Sequence, residues 1–133
     1  MKIVLDTNVI VSGLLNPHGT PGEIVRMLVN GKIGLSYDAR IFKEYEDVIR
    51  RPKFKIDFSM AKAVLESIES DGELVIASPL PFAIKDPGDR MFLEVALAAK
   101  VDFLVTGNGK DFLSTTKHPV RILSPKEFRW EYF

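Results

Sequence analysis

Short apolar runs alternate along the chain with longer segments of helical period. Lys2 to Leu5 is a β-branched run cut off by Asp6-Thr7-Asn8, too brief for a helix, and reads as a buried strand. Val9 to Leu15 stays apolar up to Asn16-Pro17 and predicts a short helix. Thr20-Pro21 offers an N-cap followed by proline at the first helical position. Ile24, Met27 and Leu28 then recur at helical spacing until Asn30-Gly31. Ile33 to Tyr37 predicts a second strand. Asp38 caps a helix that runs to Arg51 and ends at Pro52. Ser59 to Ser70 predicts another helix, capped by Ser59, with Ala61, Val64, Leu65 and Ile68 as its stripe. Glu73 to Ala77 reads as a strand, and Pro79, Pro81 and Pro87 keep the next stretch irregular. Pro87 to Lys100 predicts a helix, Asp102 to Thr106 a strand broken by Gly107-Asn108-Gly109, and Val120 to Leu123 a last strand. Ser124-Pro125 opens a final helical turn.

Strands separated by helices imply βαβ crossovers and an α/β fold, with a central, mostly parallel sheet covered on both faces. Such sheets bind ligands beyond the carboxyl ends of their strands. Asp6 follows the first strand at once, and Asn108 and Asp111 follow the strand ending at Thr106. Asp102 begins that strand and belongs to the opposite edge, as a structural or exposed residue.

Helical geometry singles out Glu44. With Ile41, Tyr45 and Val48 it forms an i, i+3, i+4, i+7 set, which puts it on the flank of the apolar stripe, while Glu46 and Asp47 point away. Snorkelling to water or pairing with an arginine accounts for such a residue equally well. Asp86 is a candidate N-cap before Pro87, and Asp89 a first-turn acid favourable to the helix dipole. Taken together, Asp6, Glu44, Asp89 and Asp111 would repel one another at a common point, raising each other's pKa. A hard divalent cation such as Mg²⁺ or Mn²⁺ removes that conflict, takes oxygen ligands and bridges carboxylates to phosphate oxygens. It can also lower the pKa of a coordinated water, which points to metal-assisted hydrolysis of a phosphodiester.

Composition narrows the picture. The 133 residues suit one domain spanning 1–133, and 46% hydrophobic with 27% charged residues is ordinary globular composition. The absence of cysteine excludes a disulfide framework and a thiolate zinc site. No apolar run is long enough to span a membrane and no signal-peptide pattern opens the chain, so a cytoplasmic location is expected. The net charge is +0, from 18 basic and 18 acidic residues. That excludes a protein holding nucleic acid by being basic overall. The balance is nevertheless uneven: residues 40–55 carry a net +3, residues 66–94 a net −5 and residues 117–129 a net +3. A solvated face explains such runs as readily as a basic surface beside an acidic pocket. Arg40, Lys43, Arg50, Arg51 and Lys53 are the candidate contacts to a phosphate backbone. His18 and His118 read as surface-loop residues, and Trp130, Tyr132 and Phe133 as core packing or a partner's seat.

The blocks Ile3-Val4-Leu5-Asp6-Thr7-Asn8 through Ser12-Gly13, Glu44-Tyr45 through Phe54, Asp86-Pro87 through Ala99, and Asp102 through Asn108 resemble PIN-domain proteins in the right order over nearly the whole chain. The branch they resemble most is the group associated with toxin–antitoxin systems, similar to VapC-like ribonucleases. The resemblance implies a three-layer α/β/α fold and Mg²⁺- or Mn²⁺-dependent endoribonuclease activity on single-stranded RNA. It also implies a homodimer or higher homo-oligomer and a possible cognate antitoxin protein. Asp6, Glu44 and Asp89 match the family's three central acids, which implies that they are the metal ligands. The fourth acidic place holds Asn108, which offers a carbonyl oxygen without charge, and Asp111 three residues on could reach the site instead. Thr106 matches the family's threonine, and Thr7, Asn8 and Ser12 would orient Asp6. Two other functions stand beside the nuclease: a catalytically weakened PIN domain that binds RNA or protein, and a phospho-acceptor receiver domain. The receiver is disfavoured because no lysine directly follows a terminal strand in a matching role, and its acceptor Asp should close a middle strand, not the first.

Overall fold

The computed structural model describes residues 1–112 and 118–132; Lys117 of the basic C-terminal stretch and Phe133 lie outside them. In chain order the elements are β1 (Lys2–Leu5), α1 (Thr7–Leu15), α2 (Thr20–Val29), β2 (Gly34–Tyr37), α3 (Ala39–Ile49), α4 (Phe58–Asp71), β3 (Glu73–Leu74), α5 (Arg90–Ala99), β4 (Phe103–Val105), β5 (Arg121–Leu123) and α6 (Pro125–Tyr132). Single 3₁₀ turns cover Pro52–Phe54, Pro87–Asp89 and Gly109–Phe112. The five strands form one parallel sheet in the order β3-β2-β1-β4-β5, flanked by the six helices in a three-layer α/β/α arrangement.

The central strand is apolar because it is covered on both faces. Ile3, Val4 and Leu5 have no exposed surface, and α5 lies across β1, β2 and β4 through Phe92, Leu93, Val95 and Ala96. Helix α1 packs on α2 and α3. A Cβ on Gly13 would stand 2.7 Å from Val25 Cγ2 and 2.8 Å from the Pro21 carbonyl, so only glycine permits that approach. Ile3 pairs with Leu35 on one side and Phe103 on the other. Asp102 sits at the opposite edge from Asp6, accepting from the Lys2 backbone N–H at 3.0 Å.

Several boundaries differ from the sequence reading. Helix α1 starts at Thr7 rather than Val9, and Gly19 rather than Thr20 occupies the N-cap of α2. Asp57, not Ser59, caps α4, because its Oδ1 accepts from the N–H groups of Ser59 and Met60 at 2.8 and 3.2 Å. The strand expected over 73–77 pairs only at Glu73 and Leu74; it is an edge strand, and Ile76 beyond it is 98% exposed. The helix expected from Pro87 begins at Arg90, since Asp86 Oδ1 accepts from Gly88 N–H at 2.9 Å and tightens the first turn. His118 is half-buried with its ring stacked on Phe82, not a free surface histidine. Trp130 is 88% exposed, whereas Tyr132 stacks on Phe128. Among the described residues, no helix is long and apolar enough to cross a membrane.

Candidate metal-binding cleft

Strand order reverses direction between β1 and β4, and at such a switch point the crevice beyond the strand ends is left uncovered. A cleft of about 570 Å³ opens there. It is lined by Asp6, Asn8, Glu44, Asp89, Asn108 and Asp111, with Thr7, Ser12, Asp86 and Arg51 around them.

Asp6 occupies the N-cap of α1, directly after β1, and its N–H donates to the Val105 carbonyl at 2.9 Å. Parallel pairing of β1 with β4 thereby sets Asp6 beside Thr106. The Thr106 hydroxyl donates to Asp6 Oδ2 at 2.7 Å, and Asn8 Nδ2 donates to the same oxygen at 3.3 Å. Thr106 Oγ1 in turn accepts from Asn108 N–H at 3.0 Å, and Asn8 Oδ1 accepts from Gly107 N–H at 3.2 Å. Burial raises the Asp6 pKa, and Glu44 adds to it; the Thr106 hydroxyl and the backbone at Asn8 and Thr7 oppose the rise.

Glu44 reaches the cleft from α3, whose buried face is Ile41, Tyr45 and Ile49. The Tyr45 hydroxyl donates to the Leu5 carbonyl at 2.5 Å and so ties α3 to the end of β1. Burial, together with Asp6, Glu44 and Asp38, pushes the Tyr45 phenol well above its ordinary pKa, so it remains a donor. Thr7 was expected to orient Asp6; its hydroxyl donates instead to Glu44 Oε2, because as the first residue of α1 it faces α3. Ser12 lines the cleft on the next turn of α1.

Asp86, Asp89 and Asp111 bring carboxylate oxygens within 4.8 Å of one another. Two loops make this trio: Asp86 N–H donates to the Asp111 carbonyl at 3.2 Å, and Asp111 N–H donates to the Asn108 carbonyl at 3.0 Å. Asp6 and Glu44 line the same cleft, so Asp86 and Asp111 join the expected Asp6, Glu44 and Asp89 there. Asp89 is pushed up to about 7, by burial first and then by Asp6, Asp86, Asp111 and Glu44. The donor set is all oxygen, and 4.8 Å is close to the roughly 3–4 Å that separates ligand oxygens around one octahedral ion with bonds near 2.1 Å. The residues therefore fit a hard divalent cation.

The basic candidates separate. Arg51 lines the cleft, facing it beside the apolar Val11, Leu15, Val48 and Phe54, a wall that sequence reasoning passed over. Lys53 lies 5.0 Å over the Phe54 ring. Lys43 pairs with Asp47 and Arg50 with Glu46 along α3, at 3.8 and 3.7 Å. Arg40, expected on the RNA side, is instead held by two acids, Asp38 at 2.7 Å and Glu94 at 2.8 Å. Glu94 itself, buried within an apolar helix, went unread as a site residue because its nearer cationic partner, Arg40, lies 54 positions away.

A profile of the PIN domain matches residues 2–110. The chain belongs to the PIN domain family. This PIN domain is 28% identical over 144 residues to an uncharacterised protein of Methanocaldococcus jannaschii, covering 99% of the present chain and 92% of the relative. Its fold is similar to VapBC2 from Rickettsia felis, whose crystal structure is bound to a DNA fragment from the promoter. That match has a TM-score of 0.51 at 16% identity and covers 92% of this chain and 97% of the other.

Proposed function

We propose that this PIN domain is a Mg²⁺- or Mn²⁺-dependent endoribonuclease that hydrolyses phosphodiester bonds of single-stranded RNA, acting as the toxin of a toxin–antitoxin pair. The observation that carries the reading is the meeting of five carboxylates, Asp6, Glu44, Asp86, Asp89 and Asp111, in one cleft at the switch point of the sheet. Asp86, Asp89 and Asp111 would hold the cation, with Asp6 and Glu44 completing its surroundings. Bound there, the cation would neutralise phosphate charge and acidify water. Thr106 and Asn8 hold the Asp6 carboxylate in one orientation before substrate arrives. Arg51 offers a cation to the phosphate backbone, and Val11, Leu15, Val48 and Phe54 offer apolar surface to sugars and bases. The likeness to VapBC2 supports an antitoxin partner; a homodimer acting in the cytoplasm is part of the same proposal.

The test is cleavage of a mixed pool of single-stranded RNAs with Mn²⁺, Mg²⁺ or EDTA, comparing wild type with Asp6→Asn. Cleavage that needs both metal and Asp6 is expected; equal behaviour of the two proteins under all three conditions overturns the reading. The exposed, uncharged Asn108 in the fourth acidic place favours a second reading, a weakened domain that binds RNA or protein without cutting. RNA retained on a filter with wild-type protein and recovered intact in Mn²⁺ would select it.

A further inference from the structure

We propose that an ion network centred on the buried Glu94 sets the spacing of the acids across the cleft; only the metal arm of its test rests on the nuclease reading above. Glu94 is 5% exposed. Its Oε1 accepts from Arg40 Nη1 at 2.8 Å, and its Oε2 accepts from the Leu80 N–H at 2.8 Å. Arg90, one turn earlier on α5, donates from Nη1 to the Phe82 carbonyl at 2.7 Å and from Nη2 to the Leu80 carbonyl at 2.9 Å. Its Nη2 also lies 3.9 Å from Glu94 Oε2. Arg40 Nε donates to Asp38 Oδ2 at 2.8 Å, while Asp38 Oδ1 accepts from Ile41 N–H at 3.0 Å and caps α3.

None of these side chains lines the cleft. Each element they join nevertheless carries one of its acids. Helix α3 bears Glu44 one turn beyond Arg40, Asp89 immediately precedes Arg90, and the segment gripped at Leu80 and Phe82 leads to Asp86. One carboxylate thus links three separately placed elements of the site. Apolar side chains of equal volume would fill the same space without desolvating a charge, so stability alone does not account for the network. What charges add is direction: each bond is met at one geometry, and a fully satisfied network admits one arrangement of the three elements.

The experiment measures Mn²⁺ affinity by electron paramagnetic resonance, well below the melting midpoint, for wild type, Arg90→Ala and Arg90→Lys. Amide hydrogen exchange at Gly88, Asp89 and Val105 is followed in the same proteins. Arg90→Ala is expected to weaken Mn²⁺ binding roughly 10–100-fold. It should speed exchange at Gly88 and Asp89 while the sheet amide of Val105 stays protected, and Arg90→Lys should recover part of both losses. Should Arg90→Ala fail to fold, Glu94→Gln keeps the shape, removes the charge and carries the same test. Affinity within threefold of wild type in a folded variant overturns the proposal. A wild type that binds no Mn²⁺ overturns the nuclease reading instead, and exchange then decides: unchanged rates at Gly88 and Asp89 remove the network's role.

Discussion

The two walls of the cleft hold their acids in opposite ways. On the β1–β4 wall, Asp6 is buried, bonded by Thr106 and Asn8, and backed by the Tyr45 bond to Leu5. On the other wall, Asp86, Asp89 and Asp111 crowd together, and Asp89 rises to about 7. The first wall is set by folding, since hydrogen bonds hold its carboxylate in place and oppose part of the rise that burial causes. The second retains repulsion that folding leaves in place and that a cation relieves. One wall therefore supplies fixed geometry, and on the proposed function the other would supply drive for metal uptake.

The largest effect should come from the first wall. Asp6→Asn is expected to cut RNA cleavage at least about a hundredfold, as a metal's several kcal/mol of charge stabilisation would imply; single-turnover rates measure it. Thr106→Val should follow, lowering Mn²⁺ affinity or cleavage roughly 10–100-fold with the fold kept, as read by calorimetry and circular dichroism. If the variant matches wild type, the Thr106 bond is not what orders Asp6.

The crowded wall answers to pH. Asp89 titrates at about 7 in the folded chain against an ordinary 3.8. Between those values the folded protein keeps a proton that the unfolded chain has lost, so stability falls as pH rises through the window. Metal-free protein should therefore melt higher at pH 5.5 than at pH 8. Saturating Mn²⁺ at pH 8 should raise the midpoint again, by about 2.7 kcal/mol of stability at a hundred times Kd. Asp89→Asn should flatten the pH dependence; a slope as steep as wild type's would place the repulsion elsewhere. The smallest effect separates the cations. Arg51→Ala should weaken RNA binding a few-fold and reduce its salt slope by about one, while Lys43→Ala, already paired with Asp47, should leave both unchanged.

The same contrast explains what could be read from the chain. Asp6 was legible because a β-branched run stops at it, and Glu44 because a helix phase puts it beside Ile41 and Tyr45. Both follow from periods of two and 3.6 residues, which act locally. The contact of Asp86 with Asp111 depends on a backbone bond between two loops 25 residues apart, which no period encodes. The Arg40–Glu94 pair is likewise a product of packing: each residue looks like surface charge in its own segment. Asp57 took the cap expected of Ser59 because its carboxylate reaches two N–H groups at once.

The bond between Asp6 and Thr106 spans 100 residues, and the Thr106 N–H is itself bonded to Leu123 in the last strand. The middle strand of the sheet is thus made well before its neighbour β4. A nascent chain carries Asp6 long before Thr106, so the wall that orients this acid closes only after residues 103–123 have emerged.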